Sequence, residues 1–421
     1  MRVGVVGAGA AGLCAIKHSI SFGCEVVAFE QSEKIGGTWV YSESTGKDKH
    51  GNEIHSSMYE ALRTNLPKEI MAFPDFPFPT DEKSFLPASD VNDYLNNYAD
   101  IFGLRDSIKF EHQVLRVRPV NGVWELIVLN HPQAKNETFM FDMILVCNGH
   151  FSTPAMPSVE GSKLFHGHKM HSHDYKKPER FANKNVLIIG AGPSGVDISQ
   201  EVAGVADKVF WSNHLKQPKN IAVENLVQKP DVARLTKDGA EFVDGSCEKF
   251  DEIIFCTGYK TTFPFMSVDC EILCEDNYVR PLFKHCLSIN QPTLGIIGLP
   301  FNVCPFLVFD LQVRFCLTFM TGWKALPSKD EMIRDTEQEM NGRWRQGMPR
   351  KKAHAMGNFQ GAYFAELVRL TDVTPVKPVI LSIYAESHRN QVENATNYRE
   401  FKFTVLDDNR FKVELLLSDA N

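Results

Sequence analysis

The chain has 421 residues with a formal net charge of -7, 43% of them hydrophobic and 23% charged. That length and balance specify a folded protein of two domains and exclude disordered, collagen-like and short-repeat chains, while the acidic excess argues against a broad nucleic-acid footprint. No segment reaches the about 18 uninterrupted apolar residues of a membrane span; even Cys304 to Met320 is broken by Asp310, Gln312 and Arg314.

The first predicted element is a β-branched strand, Arg2-Val3-Gly4-Val5-Val6, followed directly by Gly7-Ala8-Gly9-Ala10-Ala11-Gly12 and by helix-compatible residues to about Ser21. Strand, tight turn and helix in this order form a dinucleotide-binding fingerprint. Gly7 serves the turn, Gly9 lets backbone approach a pyrophosphate, and Gly12 lets the helix press on the strand. The helix start at Ala10 and Ala11 offers N–H groups and a positive dipole end to the phosphates. A second strand, Glu25 to Phe29, ends in Glu30, placed to accept hydrogen bonds from a ribose 2′-hydroxyl.

The pattern recurs at Asn185-Val186-Leu187-Ile188-Ile189, then Gly190-Ala191-Gly192-Pro193-Ser194-Gly195, then a helix to about Ala203. Where the first copy has Glu30, the second has Ser212-Asn213-His214, with Lys216 just beyond. An acid there would repel a 2′-phosphate, whereas these residues can donate to it, so the second site is read as one for NADPH. Two cradles in one chain suit a flavoprotein in which a nicotinamide passes a hydride to a flavin. The first, with Glu30, is therefore assigned to FAD.

Further segments carry a resemblance. Gly36-Gly37-Thr38-Trp39, the Thr64-Asn65 pair with Pro67-Lys68-Glu69, and Phe165-His166-Gly167 leading to His171 and Tyr175 follow in order, and so does Phe255-Cys256-Thr257-Gly258-Tyr259. This series resembles the flavin-containing monooxygenases over roughly residues 1 to 320. The resemblance implies that Gly37, Thr38, Trp39 and Thr64 hold FAD, that Asn65 is the catalytic donor beside the flavin, and that Thr257, Gly258 and Tyr259 belong to the cofactor sites. It also implies that Gln312, on the helix after Leu294 to Leu299, reaches a cofactor. In chemistry it implies a C4a-hydroperoxyflavin, formed with O2, that oxygenates a small soft nucleophile: a tertiary amine nitrogen or a thioether sulfur. Tyr175 separates the chain from the Baeyer–Villiger relatives, which usually have tryptophan there, although that chemistry stays the alternative, as does a non-catalytic sensor holding FAD and NADPH. Ser212 is followed by His214 rather than by the Ser-x-Arg pair common in vertebrate members. Length, and the lack of a hydrophobic C-terminal anchor, make the chain similar to the insect branch that N-oxygenates pyrrolizidine alkaloids in detoxification.

The fold expected is α/β, with two dinucleotide-binding, Rossmann-like domains: the NADPH domain, 157–283, is inserted into a discontinuous FAD domain formed by 1–156 and 284–421. The four histidines at 166, 168, 171 and 173 fall within the monooxygenase motif and lack accompanying ligands, so no metal is expected. Cys270 and Cys274, four apart, are expected to share a helix face. The scattered cysteines fit a reducing, cytoplasmic compartment, an extracellular one staying open if a leader was removed. Assembly into a homo-oligomer also stays open.

Overall fold

The computed structural model describes residues 1–79, 83–214, 221 and 223–416. Its first sheet runs in the order Leu282–Phe283, Leu287–Ser288, Leu294–Ile296, Met143–Val146, Arg2–Val6, Glu25–Phe29, Ile108–Lys109, parallel from Leu294–Ile296 onward. Segments from residues 2–146 and from residues 282–296 thus share one sheet. Its strands are near-continuous apolar runs because both faces are covered. Val3 and Val5 face the core that holds Leu13 and Ile16 of helix Ala10–Ser21 and Leu311 and Phe315 of helix Pro305–Met320. Val6, Phe29 and Val146 face the other way, onto Val117, Trp124, Leu126 and Val128 of an antiparallel layer formed by His112–Val120, Val123–Asn130 and Lys135–Phe141.

The second sheet repeats this plan. Its order is Leu226–Lys229, Lys208–Ser212, Asn185–Ile189, Glu252–Phe255, His168–His171, all parallel. Val186, Ile188 and Trp211 pack on Val196 and Val202 of helix Pro193–Ala203. Leu187, Phe210 and Ile253 pack on Leu235 and Phe242 of a small antiparallel layer. Strand Thr153–Pro154 pairs with Tyr259–Lys260 where the chain crosses between the sheets. The architecture is therefore two Rossmann-type domains, one of them discontinuous, as the repeated glycine turns predict.

After the first sheet is completed, helices Lys329–Arg345, Gln360–Thr371 and Pro378–Glu393 and the hairpin Phe401–Val405 with Phe411–Leu415 return to the N-terminal part. Phe403 N–H donates to Ser84 Oγ at 2.8 Å. Among the described residues no helix is long and apolar enough to cross a membrane.

The helix expected around Cys270 and Cys274 is absent. Cys270 ends a 3-10 turn, and Cys274 lies on strand Leu273–Glu275, paired with Tyr278–Arg280. Asp276 and Asn277, with φ of 50° and 62°, form the tight hairpin turn that overrides helical spacing. All ten cysteines are free; Cys14, Cys147, Cys256, Cys270, Cys286, Cys304 and Cys316 are buried.

Candidate functional site

The two glycine turns open onto a single cavity of about 2180 Å³, at the carboxyl ends of the parallel strands, where open α/β sheets bind ligands. In the first turn, a Cβ on Gly12 would lie 1.9 Å from the Gly7 carbonyl oxygen, so only glycine lets helix Ala10–Ser21 sit this close to its strand. Gly9 is the N-cap of that helix. It is bridged to Gly36, so that Gly37, Thr38 and Trp39 form the near wall of the cradle, and Gly7, Gly9, Ala10 and Ala11 also line it. Thr38 Oγ1 is 3.2 Å from Ser57 Oγ.

Glu30 is buried at the edge of the cavity, and its carboxylate accepts from the N–H groups of Ala8 and Ser32, both at 2.9 Å. Burial raises its pKa while these hydrogen bonds oppose the rise. Its orientation is thus fixed by backbone, and lone pairs remain for a ribose hydroxyl.

The second turn copies the first. A Cβ on Gly195 would lie 2.1 Å from the Gly190 carbonyl, whereas one on Gly192 would meet nothing within 4 Å. Open space in front of the N-cap Gly192, with Pro193 at the first helical position, is what a pyrophosphate needs to reach the helix N-terminus. Gly190, Gly192, Pro193 and Ser194 line the cavity. The residues read as donors to a 2′-phosphate are less free than their sequence suggests. Ser212 Oγ donates to Pro230 O at 2.8 Å, and Asn213 N–H donates to Lys229 O at 3.0 Å. His214 is exposed; Lys216 lies outside the described residues.

Thr64 is buried, with its hydroxyl accepting from Leu86 N–H at 3.0 Å. Asn65 is exposed on the cavity wall. Its carbonyl accepts from Gln391 Nε2, and its side-chain amide makes no hydrogen bond among the described residues. Thr257 Oγ1 donates to Ala155 O at 2.7 Å, tying the two crossing segments together. Gly258 and Tyr259 continue the wall, and the Tyr259 ring stands edge-on to His171 at 5.2 Å.

Gln312 does not reach the cavity. It is fully buried, its Oε1 accepting from Gly298 N–H at 2.8 Å and its Nε2 donating to Tyr363 Oη at 2.7 Å. On an inward helix face a long polar side chain satisfies core backbone rather than ligand. Gln312→Leu should therefore lower stability by about 2 kcal/mol or more, because the Gly298 N–H loses its buried partner; urea unfolding of both proteins reads it directly.

The four histidines split between environments. His166 and His168 are exposed, His171 and His173 buried, and no metal cluster of the described residues includes any of them. The group that does have ligand-like proximity, Cys14, His18 and Asp310, holds an ion pair: Asp310 bonds His18 Nε2 at 2.7 Å and Arg314 Nε at 2.8 Å.

Sequence reasoning passed over a second strand end. Val146-Cys147-Asn148-Gly149 parallels Phe255-Cys256-Thr257-Gly258, and its last three residues line the cavity from the first sheet. That internal echo was the available signal. His150 follows it. Burial pushes both the His150 and the His171 rings down to about 4. The unfolded chain takes up these protons near the ordinary histidine value of about 6.5, the folded protein only near 4, so stability should fall as pH drops through that window. Urea midpoints between pH 7 and pH 4 should show this loss, and His150→Gln should remove about half of it, His171 keeping the rest.

Residues 1–217 and 213–393 match the flavin-binding monooxygenase-like family. The chain is 32% identical over 420 residues to senecionine N-oxygenase of Tyria jacobaeae, covering 98% of this chain and 91% of that protein. It is 34% identical over 379 residues to flavin-containing monooxygenase FMO GS-OX-like 2 of Arabidopsis thaliana, covering 84% and 81%. Among solved structures, S-allyl-L-cysteine S-oxygenase from Allium sativum superposes with a TM-score of 0.89 at 31% identity, covering 95% of this chain and 94% of that one. The chain belongs to the flavin-binding monooxygenase-like family. It is an NADPH-dependent flavin monooxygenase, with FAD and NADPH as its cofactors.

Proposed function

We propose that the protein oxygenates a small soft nucleophile, foremost a tertiary amine nitrogen such as that of a pyrrolizidine alkaloid, and also thioether sulfur. In this reading the domains divide as 1–156 with 284–421 for FAD and 157–283 for NADPH. One observation carries the reading: two pyrophosphate cradles open on one cavity whose wall presents the exposed Asn65 side chain. The names of the similar proteins, one an N-oxygenase and one an S-oxygenase, support both substrate classes.

Gly7, Gly9, Ala10, Ala11, Glu30 and the Gly37–Trp39 turn would hold FAD, with Gly12 setting the turn. Gly190, Gly192, Pro193, Ser194 and His214 would hold NADPH, with Gly195 doing the same there. Bound in the first cradle, FAD would take electrons from NADPH and activate O2, which is the source of the transferred oxygen. The chain itself must orient the reactants, offer a hydrogen bond and exclude water. Asn65 can donate from its amide. Helix Pro378–Glu393 presents Leu381, Tyr384, His388 and Gln391 to the cavity, and with Phe301, Phe306 and Phe309 it forms a largely apolar wall suited to an uncharged amine. No acid–base triad is required, because the nucleophile carries its own lone pair. The free thiols fit a cytoplasmic setting.

The test is stopped-flow absorbance of the NADPH-reduced protein mixed with O2. A slowly decaying near-ultraviolet species, discharged by a tertiary amine or a thioether with one oxide formed per NADPH, is expected. Immediate return to oxidised flavin with peroxide release would overturn the reading.

A further inference from the structure

Arg399 lies far along the chain from both cradles, yet its guanidinium joins three parts of the cavity wall. It donates to Asp197 from two nitrogens, at 2.9 and 2.7 Å, to the Thr64 carbonyl at 3.0 Å and to the Arg63 carbonyl at 3.4 Å. Asp197 sits one turn inside helix Pro193–Ala203, whose N-terminus is the second cradle, and Thr64 precedes Asn65. The Tyr59 hydroxyl donates to the same Asp197 carboxylate at 2.9 Å. The side chains of Arg399 and Asp197 are only 17% and 14% exposed, and a two-pronged guanidinium–carboxylate pair constrains orientation as well as distance.

Other links between the same regions are of a different kind. Lys177 pairs with Glu43 and Glu60 at the surface, where ion pairs constrain little. Lys176 Nζ donates to the carbonyls of Ser56 and Met58, at 2.9 and 3.0 Å, and so fixes the segment before the second sheet. These contacts hold the connecting chain; the Arg399–Asp197 pair grips the cradle helix itself.

We propose that Arg399 is a positioning residue for the reaction: through Asp197 it sets the cradle helix of the second domain against the Asn65 loop, so that one side chain fixes the nicotinamide donor and the amide of Asn65 in the same frame. The proposal rests on the reading that the second cradle takes NADPH. Arg399 touches neither the glycine turn nor the Asn65 side chain, so it acts through geometry. An ångström of misplacement is enough to slow a transfer by about two orders of magnitude.

The test uses FAD-loaded protein as wild type, Asp197→Asn, Arg399→Lys and the double variant, with Asp197→Glu as a milder change should Asp197→Asn fail to fold. Calorimetric titration with NADP+ should show affinity close to wild type, because the cradle is untouched. Flavin reduction at saturating NADPH should slow by about tenfold or more, and a larger share of NADPH should end as peroxide. Backbone amide exchange should quicken together in residues 59–66 and 193–203. The double variant should lose less than the sum of the two singles, since both break the shared Arg399–Asp197 pair. Wild-type reduction rate and coupling in folded single variants would overturn the proposal, as would faster exchange confined to residues 398–400, or additive losses. If the wild-type protein itself bound no NADP+, the NADPH assignment would fail on its own; the exchange pattern still decides whether the pair joins the two regions.

Discussion

Gly195→Ala should yield a folded, yellow protein that oxidises NADPH about 100-fold more slowly than wild type, an ångström-scale shift of the helix being sufficient for that loss. The added methyl would sit 2.1 Å from the Gly190 carbonyl, well inside contact distance, so helix Pro193–Ala203 must back away from its strand. The first domain shares none of these atoms and should keep its flavin. Gly192→Ala provides the contrast. Its methyl meets nothing within 4 Å, so the melting temperature should hold while KM for NADPH rises. An unmoved KM in Gly192→Ala would remove that turn from the phosphate site, and full activity in Gly195→Ala would mean that the helix position is immaterial.

Asn65→Ala should separate NADPH consumption from product formation. The loop itself is held by its backbone, with the Asn65 carbonyl on Gln391 and the Thr64 carbonyl on Arg399, so truncating the side chain leaves the frame in place. Once the bound cofactors cover the site, losing one donor oriented at the reacting oxygen costs about 100-fold in the step it serves. Flavin reduction should therefore proceed, while oxide per NADPH falls steeply and peroxide takes its place. Quantifying oxide and peroxide against NADPH consumed checks this, and unchanged coupling would reduce Asn65 to a wall residue.

The two cradles were legible because each is a local device. A β-branched run, three spaced glycines and a helix lie within about twenty residues, and the closeness of Gly12 to Gly7 and of Gly195 to Gly190 is written into the spacing. Glu30 was legible for the same reason, though not its two backbone partners. Gln312 was misplaced because sequence order puts it after a strand that lines the cavity, while its direction depends on which face of helix Pro305–Met320 meets the core. The hairpin at Leu273–Arg280 went unread because the four-residue spacing of Cys270 and Cys274 carries no information about the Asp276-Asn277 turn that follows them. Arg399 and Asp197 could not be paired at all: contacts formed across long sequence separations leave no periodicity, and each residue alone reads as surface charge.

Cys147 and Cys256 end equivalent strands of the two sheets, and both look onto the cavity. An enzyme of a class that delivers oxygen thus carries two thiols on the wall of the cavity that both cradles share. Burial pushes the Cys256 thiol up to about 12 and the Cys147 thiol well above its ordinary range. Both therefore stay protonated at any physiological pH, and a thiol is a far poorer nucleophile than its thiolate. Packing at the strand ends should therefore spare these two thiols the first rung of cysteine oxidation, which proceeds through the thiolate.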